Sequence, residues 1–436
     1  MSRSLGPPRR HNGKKRGLST GVKGPRRSGG PPSIEGIADA VVRGADELLR
    51  VEDPLEAEAW ASQVLGTFYK VNVPWEAREL LERGVPQAIV AKAEQRADAA
   101  GLAALEALAA VGEDDLAGIA RPAADRLRAR GITAPAWVPE LRSVVFEDAW
   151  MMLDVYGDHE AYFATYRYPG RKPHVVNALY DKAMGEIIKD GFVGYAPSDA
   201  RARVDRQDGV AAVDCEPGAM ARRVIDAIAN GDLYLDNDWT PEFKRFRALI
   251  LSRMRLLPKG RPPKTPRPPT QRQRKQIVTE FLSSQSGAAA LDEADAIAEL
   301  CLDYSCDYLG EEPFRWSPIV VEQFMLDYLP RKVSLSMAQV RQLPAVLREW
   351  VSFALTKRGL EERWITETEA AVDRWSRDFR RAVTDTEQFG LAKRLGNALL
   401  ADGVDALDQA SVQRWIDDFN ARPQTERDSL LGKPPT

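Results

Sequence analysis

Val144–Tyr156 reads VVFEDAWMMLDVY and Glu160–Tyr168 reads EAYFATYRY, and these two runs decide the fold class. Both are dense in branched and aromatic side chains, which suit a pleated, half-buried surface better than a helix. Gly157 and Asp158 stand between them as a type II′-compatible turn, so the runs predict a β-hairpin. After Pro173 the period changes. Val175, Val176, Leu179, Ala183, Ile187 and Ile188 fall at helical spacing, and Gly191 suits the position just past a helix end. A hairpin followed by a helix predicts a small ββα module.

Around this module the chain reads as helix. Residues 33–135 predict a helical bundle: Asp53-Pro54-Leu55-Glu56 supplies an N-cap, a first-turn proline and a capping-box acid, and Pro74 opens another helix. Residues 103–132, AALEALAAVGEDDLAGIARPAADRLRARGI, predict two antiparallel helices joined by a short acidic turn. Their cadence is HEAT-like, but a single such unit cannot bury its own face, so a bundle is preferred to a solenoid fragment. Residues 136–257 then hold the ββα module and two further helices, 218–230 and 241–256, the second opened by Thr240-Pro241.

Residues 258–275, PKGRPPKTPRPPTQRQRK, combine six prolines and seven basic residues with no acid and predict an extended linker. Residues 276–423 predict a second bundle of about six helices. Ser317-Pro318, Ser336, Thr366 or Thr368, and Asp408 are its start signals, and Gly359, Gly403 and Pro423 its stops. Residues 424–436 read as a frayed tail. The expected fold is therefore mainly α: two helical bundle domains flanking a small ββα (α+β) module, with a disordered N-terminal tail.

That tail is chemically distinct. Residues 1–32 carry nine Lys or Arg and no acid; the remaining 52 basic and 64 acidic residues leave the rest of the chain at −12, against −3 for the whole. A segment rich in Pro, Gly, Ser and like charge has too little to bury to offset its ordering entropy. Arg9, Arg10, Lys14, Lys15, Arg16, Arg26 and Arg27 could contact phosphates, making nucleic acid the alternative partner. No aromatic residues are interleaved among them to stack bases. Cys215, Cys301 and Cys306 form an odd, sparse set that fits a reducing compartment. No run approaches the roughly 18 apolar residues of a membrane helix, and no apolar segment follows the basic N-terminus as in a secretory signal. A cytoplasmic protein without a membrane partner is expected.

Familiar chemistry is sparse. The sequence has no GxGxxG, GxxxxGK[ST] or GxSxG. His159 in the hairpin turn and His174 beyond it, with Asp154 and Asp158, could hold a divalent metal if the following helix folds back. A turn role for His159 and a cap role for His174 explain the same residues more simply. Cys301 and Cys306 lack the second pair of a zinc site and read as core. Asp232, Asp236, Asp238 and Glu242 lack the order of a calcium loop and read as turn chemistry.

Several segments, VYGDHEAYFATYRYPG, HVVNALYDKAMGEIIKDGF, RWSPIVVEQFMLDYLPRKV, LPAVLREWVSFALTKRGL and ALLADGVDALDQASVQRWIDDFNARP, are similar to those of an uncharacterised group of proteins from high-GC actinobacteria. The similarity spans about residues 100–425. It implies that the helix after the hairpin often carries Asp-His-Asn near its middle, where this chain has Asp181, Lys182 and Ala183. The group brings no assigned activity. A non-enzymatic scaffold or regulatory protein acting through helical surfaces is thus expected, with a protein partner and no cofactor. The alternatives are a nucleic-acid-associated protein using the basic tail and linker, and a metal-dependent hydrolase or nuclease with its site near the ββα module.

Overall fold

The computed structural model describes residues 33–182, 185–195, 199–234, 239–261, 267–284, 291–405, 408–424 and 426–427. The basic tail at 1–32 and the end at 428–436 lie outside them. The described residues are mostly helical, with one five-stranded antiparallel sheet. They divide into two compact units, one within residues 1–154 and 159–263, the other within 155–158 and 264–436.

The first unit opens with α1 (Ile34–Gly44), α2 (Pro54–Phe68), α3 (Trp75–Glu79), α4 (Val85–Arg96), α5 (Ala99–Val111) and α6 (Asp114–Ala129). Asp53 caps α2 as expected, its carboxylate accepting from the Leu55 N–H, and Pro54 occupies the first turn. The Ala-rich α5 is buried on nearly every side and forms a helical hairpin with α6. Small side chains let backbones approach here: a Cβ on Gly101 would lie 2.4 Å from Ala93 O in α4.

The sheet comprises β1 (Val145–Asp154), β2 (His159–Arg167), β3 (His174–Asp181), β4 (Ile187–Gly194) and β5 (Val210–Asp214), in the order β4-β3-β2-β1-β5. The expected hairpin is β1 and β2, joined by a four-residue turn in which Gly157 takes φ +76°. The expected helix after it is a second hairpin, β3 and β4, so the ββα module is corrected to consecutive antiparallel strands. Every residue of β3 except Leu179 is buried, so the strand shows a near-continuous apolar run instead of alternation. Such a run cannot be separated from a buried helix by period alone. Strand β4 then returns with Ile187, Ile188, Phe192 and Val193, and Gly191 is not a helix stop. A Cβ there would sit 2.7 Å from Asn177 O on the neighbouring strand.

Helices α7 (Ala200–Val204), α8 (Pro217–Asp232) and α9 (Pro241–Met254) complete this unit. Thr240 starts α9 as expected, its hydroxyl accepting from Phe243 N. One core joins segments that the sequence pattern separates: Leu55, Trp60 and Leu105 from the helices pack with Tyr166, Val176, Val224, Phe243 and Leu249. Helices α2 and α9 cross most closely at Gly66, where a Cβ would meet Lys244 O at 2.0 Å. Ser62 fastens the crossing, donating to Arg245 O at 2.8 Å and accepting from Leu249 N at 3.1 Å.

The second unit holds α10 (Gln271–Leu282), α11 (Ala294–Leu302), α12 (Pro318–Gln323), α13 (Leu329–Lys332), α14 (Met337–Lys357), α15 (Glu362–Ala382), α16 (Leu391–Ala401) and α17 (Gln409–Ala421). Ser317, Ser336 and Asp408 cap α12, α14 and α17, and Gly359 and Gly403 take positive φ after α14 and α16. Thr366 and Thr368 lie inside α15, which starts at Glu362; the buried Thr368 hydroxyl bonds back to Trp364 O at 3.0 Å. Cys301 and Cys306 are buried, and so are Trp316 and Trp350. No helix among the described residues is long and apolar enough to cross a membrane.

Candidate functional site

A cleft of about 570 Å³ in the first unit is bounded by α2, α4, the start of α6 and α9. Its lining is charged in both senses. Lys70, Arg83, Lys244, Arg247 and Arg255 stand with Glu82, Glu113, Asp114, Asp115 and Asp232. Much of this charge is neutralised in place. Arg247 on α9 reaches Glu113 at 3.0 Å with one terminal nitrogen and Asp232, the last residue of α8, with the other. Arg255 adds a second contact to Glu113 at 3.2 Å. The Arg247 guanidinium also lies 4.6 Å over the Tyr69 ring, whose hydroxyl donates to Asp232. Burial holds the Tyr69 phenol above its ordinary range, so it stays neutral. Burial alone would raise the Glu113 carboxyl as well, but Arg247 and Arg255 outweigh it and hold the group ionised.

Lys70 is held differently. It takes φ +48°, a left-handed backbone that costs a residue with a side chain about 1–2 kcal/mol. Its N–H donates to Glu82 Oε1 at 2.7 Å and its carbonyl accepts from Lys244 Nζ at 3.2 Å. Its ammonium donates to the carbonyls of Asp232 at 2.7 Å and Tyr234 at 3.0 Å. Two ammonium groups at this wall are therefore hydrogen-bonded to carbonyl oxygens, which leaves their charge uncancelled. Opposite in sign, Asp114 and Asp115 occupy the first turn of α6, where the helix dipole favours them.

Of the proposed metal ligands, Asp154 and His159 meet, but His174 lies at the far end of the ladder. His159 pairs with Asp181 across the β2–β3 ladder, and His174 pairs with Tyr166 at its other end. Seven residue steps of β3 separate those rungs (181 − 174), roughly 24 Å of strand. His159 lies between carboxylates: Asp154 Oδ2 is 3.3 Å from Nδ1 and Asp181 Oδ2 is 3.3 Å from Nε2. Asp154 also accepts the His159 N–H at 2.7 Å, and Lys189 approaches Asp181 at 3.5 Å. Hydrogen bonds to Asp154 and then Asp181 push the imidazole up to about 10, so it is a cation at neutral pH.

His174 opens β3 and caps no helix. It is buried, stacked beside Tyr166 and Tyr168, and accepts from Arg253 Nε at 3.2 Å. Burial, aided by Arg253, pulls it down to about 3 and keeps it neutral. Arg253 in turn grips Glu58 of α2, which also receives the Tyr168 hydroxyl at 2.5 Å. Asp158, in the second unit, is buried and paired with Arg315 at 3.0 Å. Among the described residues no group of three His, Cys, Asp or Glu side chains is arranged to hold a metal ion. Burial raises the thiols of Cys215 and Cys306 to about 11 and holds that of Cys301 well above its ordinary range, so none is a poised nucleophile.

Arg9, Arg10, Lys14, Lys15, Arg16, Arg26 and Arg27 lie outside the described residues. The cleft residues went unmarked in the sequence because positions 69, 113, 232 and 247 meet only through the α2–α9 crossing and the α5–α6 hairpin. Asp232 stood out as acidic, but nothing local couples it to Arg247. No protein-family description, curated protein or solved structure matches the chain.

Proposed function

We propose that this protein is a non-enzymatic regulatory or scaffold protein that acts through helical surfaces, and that the α2–α6–α9 cleft is where it receives a small charged ligand. The observation that carries this reading is the state of the cleft's charges. Arg247, Arg255, Glu113 and Asp232 neutralise one another in a fixed quartet, while the Lys70 and Lys244 ammonium groups rest on carbonyl oxygens. Groups locked in mutual ion pairs cannot shuttle protons, but they make a preorganised polar wall. A hollow of about 570 Å³ falls within the usual range for small-molecule sites.

The test is retention of small molecules. The full-length protein, equilibrated with a cell extract and washed, should release on denaturation a compound unchanged in mass. The Lys70→Gly variant should not retain it. Conversion of the compound during incubation would show an enzyme and overturn the reading; so would equal retention by both proteins.

A further inference from the structure

We infer that the cleft's ligand is a zwitterion the size of a short peptide, its carboxylate held by Lys70 and Lys244 and its ammonium by Asp114 and Asp115. This rests on the binding role just proposed. Charge balance is the first argument. A polyanion such as a nucleotide would gain from Lys70 and Lys244 but meet Glu82, Asp114 and Asp115 in the same hollow. A polyamine would meet the converse. A molecule that carries both charges meets a partner of each sign among the lining residues.

Strain is the second. Lys70 occupies a left-handed conformation that Gly or Asn would adopt more readily, and such outliers gather at ligand clamps. Its backbone is pinned on both sides, by Glu82 at the N–H and by the Lys244 ammonium at the carbonyl, and its own ammonium is fixed on the Asp232 and Tyr234 carbonyls. Size is the third. About 570 Å³ exceeds what a single amino acid fills and suits two to four residues.

The experiment is equilibrium dialysis of the full-length protein against a randomised synthetic tripeptide pool in three forms: free, N-acetylated and C-amidated, with inorganic phosphate as a fourth probe. The free pool should bind saturably, and blocking either end should weaken it by about tenfold or more, the loss of one charge-assisted contact. Lys70→Gly, which suits the left-handed backbone, should weaken the free pool similarly, and amidation should cost that variant less than it costs the wild type, since only Lys244 remains for the carboxylate. Asp114→Asn with Asp115→Asn should mirror this for acetylation. Equal binding of all three forms, or phosphate outcompeting the free pool, would overturn the zwitterion while the cleft remains a binding site. If neither the four probes nor the extract-derived compound responds to Lys70→Gly, the zwitterion and the binding role fall together.

Discussion

Replacing Gly66 by Ala adds one methyl group at the α2–α9 crossing, and its cost follows from the geometry. The new Cβ would lie 2.0 Å from Lys244 O and 2.6 Å from the carbonyl carbon. A carbon meets a carbonyl oxygen comfortably at about 3.3 Å, so the helices must part by roughly 1.3 Å (3.3 − 2.0). The obstacle is backbone, which cannot swing aside. Overpacking of this kind costs about 2 kcal/mol. Parting the helices also stretches both Ser62 hydrogen bonds, about 1 kcal/mol each, while Ala returns about 1 kcal/mol of helix propensity. The net loss is about 3 kcal/mol, near two orders of magnitude in the opening equilibrium. Hydrogen exchange on α2 and α9 peptides reads this unit separately from α14 and α15. Protection should fall about a hundredfold in the former and hold in the latter. Unchanged or increased protection in α2 and α9 would refute the close-crossing argument.

Gly118, exposed in α6 with nothing near its missing Cβ, is the converse case: Gly118→Ala should stabilise α6 by up to about 1 kcal/mol, and a loss of protection there would contradict it. Arg253→Met should cost the first unit about 3–5 kcal/mol by stranding the buried Glu58 carboxylate, measurable as a lower denaturation midpoint. The two histidines act on opposite limbs of the stability–pH curve. His159 is raised from 6.5 to about 10, so its contribution is full below pH 6.5 and disappears as pH rises through 10; His159→Gln should flatten that limb in thermal melts. His174 is lowered from 6.5 to about 3, so its contribution is present above pH 6.5 and is lost as pH falls toward 3. An acid limb of the same slope in His174→Phe would show that this imidazole is not the group responsible.

The sequence by itself determined where five of the helices begin. Asp53, Thr240, Ser317, Ser336 and Asp408 cap helices because a side-chain oxygen two or three residues before a bare N–H needs no partner from elsewhere. The β1–β2 hairpin was legible for the same reason, since its branched and aromatic runs and Gly157 are local signals. What followed Pro173 was not. Val175 to Ile188 satisfies a helical period and a buried strand alike, and the β2 ladder decides between them by supplying hydrogen-bond partners along the whole of β3. The site belongs wholly to the tertiary structure. His159 meets Asp154 across its own turn, but its second carboxylate, Asp181, is set opposite it by strand register. Arg247 meets Asp232, Glu113 and Tyr69 only because Gly66, lacking a side chain, lets α2 and α9 touch backbone to backbone. Capping is settled within a few residues; charge pairing and burial depend on which distant segments the core brings together.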